Sequence, residues 1–280
     1  MPRRVVITGA SGQLGRELVQ AFGAEGDELL ALARPEFDIS RASDLDVLAA
    51  WRPDVVVNSA AWTDVDGCAR DPARALAING DAAGAVAAAA QRAGALVIQV
   101  STNEVFDGAL DRPYTEDDAP NPINPYGASK LAGELSVASA NPRNLIVRTA
   151  WIFGRDSGFP TRIRAAADRA ASARTPLCVV SDEWGNPTPA HWLASAIVRL
   201  AALATDQRVR GGAYHAAGQP ATSRMAWAQA VLSDHPVSVE PMRLEEYRRD
   251  SRVPPRAVLD TSRLVRLGIE PGIWGAAIPR

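Results

Sequence analysis

Residues 5–15 read Val-Val-Ile-Thr-Gly-Ala-Ser-Gly-Gln-Leu-Gly, and no other stretch restricts the fold as much. Four β-branched residues in a row predict a strand buried on both faces. Glycine follows at once, and Leu14, Leu18 and Phe22 then recur at every fourth position, the spacing of one buried helix face. The glycines stand three apart, at 9, 12 and 15. Gly9 allows a tight turn, Gly12 lets a pyrophosphate approach the backbone, and Gly15 lets the helix lie close to the strand end. The free N–H groups at the helix start then serve phosphate. The spacing is GxxGxxG rather than GxGxxG, so its place between strand and helix carries the reading. It predicts a dinucleotide-binding turn made of Gly9, Ser11, Gly12, Gln13, Leu14 and Gly15.

The alternation repeats as far as residue 150. Segments 28–33, 54–58, 95–100 and 144–150 read as strands, and 44–51, 73–93 and 126–138 as helices. Unbroken apolar runs of this length fit a parallel sheet covered on both faces. The fold class is therefore α/β, a doubly wound parallel sheet (Rossmann-like) with a smaller C-terminal substrate lobe. Residues 1–150 form the dinucleotide-binding domain and 151–280 mainly the substrate lobe, partly interleaved with it. Helical stretches at 192–203 and 223–232 mix there with proline-rich connections.

Composition removes several function classes. The net charge is −2, which gives no reason to expect nucleic acid. No run approaches the ~18 apolar residues of a membrane span, and the N-terminal MPRRVVITGA is no signal peptide. The expected setting is cytoplasmic, with no membrane partner. Cys68 and Cys178 lie too far apart in sequence for a metal pair or a disulfide framework, so no metal is expected.

Of 30 basic residues only one, Lys130, is lysine, and it stands four residues after Tyr126. At that spacing both share a helix face. Upstream, Ser101-Thr102 ends a strand, where a hydroxyl reaches the crevice of an open α/β sheet. The set suits carbonyl reduction, in which the carbonyl oxygen must gain a proton as the carbon gains a hydride. A free phenol has a pKa of about 10. A nearby ammonium favours the phenolate, and lowering the pKa to ~7 takes about 4 kcal/mol. Thr102 would donate to the same oxygen. At the end of the second strand no acid waits for a ribose. The segment reads Ala31-Leu32-Ala33-Arg34, and Arg34 either meets a 2′-phosphate, which favours NADPH slightly over NADH, or is simply exposed. Asp38, beside Ile39, either approaches the adenine end or caps the next helix.

Several segments together resemble the extended short-chain dehydrogenase/reductase superfamily and, within it, the dTDP-4-dehydrorhamnose reductase family. They are TGASGQLG (8–15), RPDVVVNSAAWTDVD (52–66), STNEVFDG (101–108), PNPINPYGASKLAGE (120–134), RTAWIFG (148–154), DEWGNPTPA (182–190) and LDTSRL (259–264). The resemblance implies Thr102, Tyr126 and Lys130 as catalytic residues, with NADPH or NADH as cofactor. It places Gly12, Gln13 and Leu14 at the pyrophosphate, Asp38 and Ile39 at the adenosine, and Ala60, Ala61 and Trp62 along the cofactor. It sets Trp151 against the substrate, unless Trp151 is a core residue, and Asn79 behind the catalytic helix, unless it is a buried structural amide. It implies a nucleotide-sugar substrate and a monomer or homodimer.

One departure falls beside the catalytic threonine. Rhamnose enzymes commonly read Asp-Tyr there, and this chain reads Asn103-Glu104. These are substrate-binding candidates, so the change bears on which 4-keto-6-deoxyhexose is accepted. Successive residues of an extended segment point opposite ways, so one of the two is expected to reach the sugar, unless Glu104 only forms a loop salt bridge. Two other readings stay open. One is a non-catalytic dinucleotide-binding subunit resembling that of methionine adenosyltransferase, which would not need the Thr–Tyr–Lys set. The other is nucleotide-sugar epimerase or dehydratase chemistry, with Asn103-Glu104 keeping only the glutamate of a dehydratase Asp-Glu pair.

Overall fold

The structure is a computed structural model that describes residues 2–278. In the first half, β1 (Arg4–Thr8) leads to α1 (Gln13–Ala24) and β2 (Glu28–Leu32), then α2 (Asp46–Trp51) and β3 (Val55–Asn58). Helices α3 (Val65–Arg70), α4 (Pro72–Ala75) and α5 (Ala82–Arg92) precede β4 (Leu96–Thr102), α6 (Pro125–Ala140) and β5 (Leu145–Thr149). The second half holds β6 (Ile152–Phe153), α7 (Phe159–Ala173), β7 (Leu177–Val180), β8 (Trp184–Gly185) and β9 (Thr188–Pro189). It continues through α8 (Ala190–Thr205), β10 (Gly212–His215), β11 (Thr222–Ser223), α9 (Arg224–Val231), β12 (Val239–Met242) and α10 (Ser262–Val265).

Six strands make one sheet in the order β10-β5-β4-β3-β1-β2, and every neighbouring pair is parallel. The chain leaves β1 for β2 on one side and returns to β3 on the other. Thr8 is in register with Leu32 of β2 and Asn58 of β3, so a crevice opens past Thr8 at the carboxyl ends of the strands. Val5, Ile7, Val55 and Val57 face a core closed by α1 and α8. Val6 and Val56 point to the opposite core, closed by α2, α5 and α6. The two-residue pleat period divides these runs between the two cores, which is why they carry no polar face.

Leu14, Leu18 and Phe22 bury α1 against the sheet as their spacing predicts. Alanines dominate the inner face of α5, and their small side chains let it lie close to the strands. Beyond residue 150, β10 and α8 complete the sheet layer, while β6–β9, β7–β12 and β8–β11 form small separate pairs. A further core, around Phe153, Ile163, Val179 and Trp227, holds those pieces together.

Two local expectations are corrected. The helix expected over 73–93 is interrupted: α4 and α5 flank a π-helical turn at Leu76–Asp81. That turn carries Asn79, whose side chain is committed to two other segments, and a widened turn is how a helix presents such a residue without ending. The segment after Thr102 is not extended. Asn103–Val105 forms a 3₁₀ turn capped by the Thr102 hydroxyl, so the alternation argument for residues 103 and 104 does not apply.

Candidate active site

β4 delivers Thr102 to the carboxyl edge of the sheet, paired with Thr149 of β5. Its hydroxyl accepts a hydrogen bond from the Glu104 N–H at 3.1 Å. α6 begins under it. Asn124 caps the helix by accepting from the Gly127 N–H at 2.7 Å, and Pro125 occupies the first turn, where its missing N–H costs nothing. Tyr126 and Lys130 follow one turn apart, both buried.

The Thr102 hydroxyl lies beside the Tyr126 phenol, where it favours the ionised form. Burial pushes the phenol well above its ordinary pKa, and the neighbouring Glu104 carboxylate raises it further. The expected lowering by Lys130 is not seen. The Lys130 ammonium instead donates to the Val100 carbonyl at 2.7 Å, and desolvation of the phenol outweighs any help from it. The consequence is useful: at neutral pH Tyr126 holds its proton and can donate it. Burial lowers Lys130 itself to about 8, with the Glu134 carboxylate opposing. Glu134 forms a buried ion pair with Arg148 at 2.7 Å and accepts from the Ser101 hydroxyl at 2.5 Å, tying α6 to β5 and β4.

Asn103 and Glu104 separate. Asn103 is buried and its amide donates to the Ala257 carbonyl at 3.0 Å, an anchor to the C-terminal segment. Glu104 is half-buried, and its Oε2 accepts from Asn124 Nδ2 at 2.6 Å. Burial pushes Glu104 up to about 7. It makes no salt bridge shorter than 4 Å among the described residues, although Arg249 and Arg224 are near enough to counter the burial.

A cleft of ≈ 540 Å³ runs along these groups, lined by Thr102, Asn103, Glu104, Tyr126 and Lys130 on one side and by Gly9, Gly12, Gln13, Leu14 and Gly15 on the other. A second cavity of ≈ 330 Å³ continues it past the glycine turn, lined by Ser11, Arg34, Asp38, Ile39, Ala60, Ala61 and Trp62. The residues fit a dinucleotide. α1 has Gly12 at its cap position and no side chain bonded to its first N–H groups, so these remain free for phosphate. A Cβ on Gly15 would lie 2.1 Å from the Gly9 carbonyl oxygen, and Gly9 itself has φ +69°, so neither position admits a side chain. Asp38 accepts from the Ser40 N–H and hydroxyl, which lower its pKa, so its carboxylate is held by the turn that follows it.

Trp151 lines the cleft from the second half, half-buried, with φ +43°. Its ring stacks on Trp227 at 5.7 Å, and the Arg224 guanidinium lies over it at 3.5 Å. Arg224 is held in turn by Glu183 at 2.7 Å. Asn79 is doubly engaged: it accepts from the Trp62 N–H at 2.8 Å and donates to the Trp62 carbonyl and the Ser129 hydroxyl, each at 3.0 Å. It therefore couples the cofactor-side loop to α6.

Sequence reasoning missed three arginines here. Arg162 of α7 lines the cleft. Arg74 lines the second cavity with its guanidinium 4.6 Å from the Trp62 ring. Arg224 backs Trp151. In a chain whose 30 basic residues include a single lysine, no arginine stands out by type, and no local spacing marks these three. Asn124 was also missed, yet Asn-Pro directly before a helical stretch is a readable cap signal.

A model of the family described as RmlD substrate binding domain matches residues 3–280. The dTDP-4-dehydrorhamnose reductase of Burkholderia thailandensis is 37% identical over 293 residues, covering 98% of this chain and 96% of that protein. The protein of the same name from Streptomyces griseus is 38% identical over 281 residues, covering 98% and 91%. The crystal structure of dTDP-4-dehydrorhamnose reductase from Bacillus anthracis in complex with NADP superposes with a TM-score of 0.90 at 31% identity, covering 99% of this chain and 98% of that one. With a family model over residues 3–280 and relatives 37–38% identical over nearly the full chain, the chain belongs to the dTDP-4-dehydrorhamnose reductase family.

Proposed function

We propose that this chain reduces the 4-keto group of a dTDP-4-keto-6-deoxyhexose, dTDP-4-dehydrorhamnose to dTDP-L-rhamnose, with NADPH or NADH. The observation that carries the reading is the convergence of Thr102, Tyr126 and Lys130 on a cleft continuous with the uncapped start of α1. Relatives covering nearly all of the chain bear the name of this activity. A non-catalytic binding subunit would have no use for a buried, protonated tyrosine at such a cleft, so the enzymatic reading is favoured.

A bound reduced nicotinamide would supply the hydride for the keto carbon. The chain supplies the rest. Free N–H groups at the start of α1, with Gly12, Gln13 and Leu14, hold the pyrophosphate. Arg34, Asp38, Ile39, Ala60, Ala61 and Trp62 enclose the adenosine side, and Arg34 favours a 2′-phosphate. Tyr126 donates its proton to the sugar oxygen, and Thr102 donates a hydrogen bond to it, so charge on that oxygen meets two fixed donors. Lys130 keeps a positive charge beneath the strand end below pH 8, anchored to the Val100 carbonyl. Residues 151–280 mainly provide the sugar-nucleotide side, with Trp151 as an apolar wall. The protein works as a monomer or homodimer in the cytoplasm, a setting compatible with the finding that no helix among the described residues is long and apolar enough to cross a membrane.

The test is direct. Purified protein is given dTDP-4-dehydrorhamnose, made from dTDP-4-keto-6-deoxyglucose with a 3,5-epimerase, and NADPH absorbance is followed while the product is identified by NMR. Stoichiometric oxidation with dTDP-L-rhamnose as product supports the reading. Oxidation that gives a different C4 configuration moves the chain to another deoxysugar, and no oxidation overturns the reading.

A further inference from the structure

The reduction leaves one carboxylate of the cleft without a task. Glu104 is fastened to the first turn of α6 at two points. Its backbone carbonyl lies where a Cβ on Gly127 would come within 2.0 Å, and its Oε2 is held by Asn124, the residue that caps the same helix. Glu104 and Tyr126 therefore share one rigid base, and both line the cleft with Thr102. Glu104 Oε1 accepts no hydrogen bond from any described residue, so it is free to meet a substrate group. The groups around the carboxylate come from several elements: Tyr126 and Asn124 at the start of α6, Cys68 of α3, Glu183 and Arg224 beside Trp151, and Arg249.

We propose that Glu104 removes and returns the proton on a carbon adjacent to the keto group of the bound nucleotide sugar, giving this chain a proton-exchange or epimerising activity beside the reduction. The proposal rests on the 4-ketosugar reading of the cleft. A keto group acidifies its neighbouring C–H bonds. In the forward step that C–H bond breaks and its proton passes to the Glu104 carboxylate. The electron pair forms a C=C bond, and the negative charge moves to the former keto oxygen. Tyr126 and Thr102, placed to hydrogen-bond that oxygen during reduction, stabilise the same charge here. The reverse step returns a proton from the Glu104 carboxyl to carbon, so no oxidant, reductant or further reactant is consumed. A side chain that titrates near the working pH suits both directions, and burial sets Glu104 at about 7.

The experiment uses wild-type protein with oxidised NADP, which cannot reduce the sugar, and dTDP-4-keto-6-deoxyglucose in D₂O. Proton NMR follows the signals on the two carbons beside the keto group, and mass spectrometry counts incorporated deuterium. Wild type is expected to exchange one of these positions ~10²-fold faster than Glu104→Gln, the usual scale of acid–base help, with Glu104→Asp in between. Exchange no faster than in protein-free solution, or equal in wild type and Glu104→Gln, overturns the proposal. If Glu104→Gln does not fold, the wild-type pH profile decides. A rate that climbs to a plateau above pH 7 supports the carboxylate, and a flat profile overturns it. NADPH oxidation with dTDP-4-dehydrorhamnose is measured in parallel. Reduction without exchange overturns this inference alone, exchange without reduction overturns the reductase reading alone, and the loss of both overturns both.

Discussion

A phenol in water releases its proton near pH 10, and for Tyr126 burial and the Glu104 carboxylate move that point higher. In the proposed reaction the residue therefore acts as an acid. Tyr126→Phe keeps the ring and its packing but removes the proton. It is expected to lower kcat by ~10²-fold or more, while NADPH binding, followed by fluorescence titration, stays close to that of the wild type. A folded variant with unchanged turnover would remove Tyr126 from the chemistry. Arg34 works at the other end of the cofactor. It lines the second cavity, exposed, and makes no ion pair among the described residues. A hydrogen bond to a charged group contributes about 1.5–3 kcal/mol, so Arg34→Ala is expected to weaken NADPH by ~10-fold or more and NADH much less. Equal losses would show that Arg34 does not read the 2′-phosphate. Both proposed roles come from residue types and spacings. The sign of the shift at Tyr126 does not, because it depends on how deeply the ring is buried and on where the Lys130 ammonium points.

Between α4 and α5 the π-helical turn at Leu76–Asp81 does what a regular helix would not. It swings Asn79 toward both the Trp62 backbone and Ser129 of α6. The fit is tight, since a Cβ on Gly133 of α6 would come within 2.2 Å of the Asn79 carbonyl oxygen. Cofactor loop and catalytic helix are thus set against each other by one amide. Asn79→Ala strips the partner from two buried or half-buried backbone groups and a hydroxyl, at ~1–3 kcal/mol for each buried group left unsatisfied. We expect a clear drop in the urea midpoint together with a higher KM for NADPH. A variant with lowered stability and an unchanged NADPH KM would make Asn79 structural only. The helix was readable from its alanines. The π turn was not, because its cause lies in contacts with residues 62, 129 and 133, which no helical period of the segment reveals.

At the scale of the molecule the fold tolerates charged groups in poor places. The Glu134–Arg148 pair is buried and well bonded, but Glu104 is not matched in this way. Its pKa rises from 4.5 to about 7 on folding. A group raised in this direction stabilises the folded state fully below its unfolded value, and that contribution is lost as pH rises through the folded one. Glutamine has no such loss. Glu104→Gln should therefore gain stability over the wild type by up to ~3 kcal/mol between pH 4.5 and pH 8, read as the difference in urea unfolding free energy at the two pH values. An advantage that does not change with pH would show that Glu104 is not desolvated on folding. The same scale separates what could be read along the chain from what could not. Strand runs, the glycine turn, the four-residue step from Tyr126 to Lys130 and the Asn-Pro cap are local patterns, and the backbone geometry that rewards them is local too. They were enough for the parallel sheet, the crevice and the three residues, Thr102, Tyr126 and Lys130, that line it. Asn103 bonded to Ala257, Asn124 holding both Glu104 and the Arg252 carbonyl, and Trp151 clasped between Gly185, Arg224 and Trp227 join residues from 20 to 154 positions apart. Partners at such separations are chosen by the packing of whole elements, and so are burial and pKa, because desolvation and Coulomb forces act through space without regard to chain order.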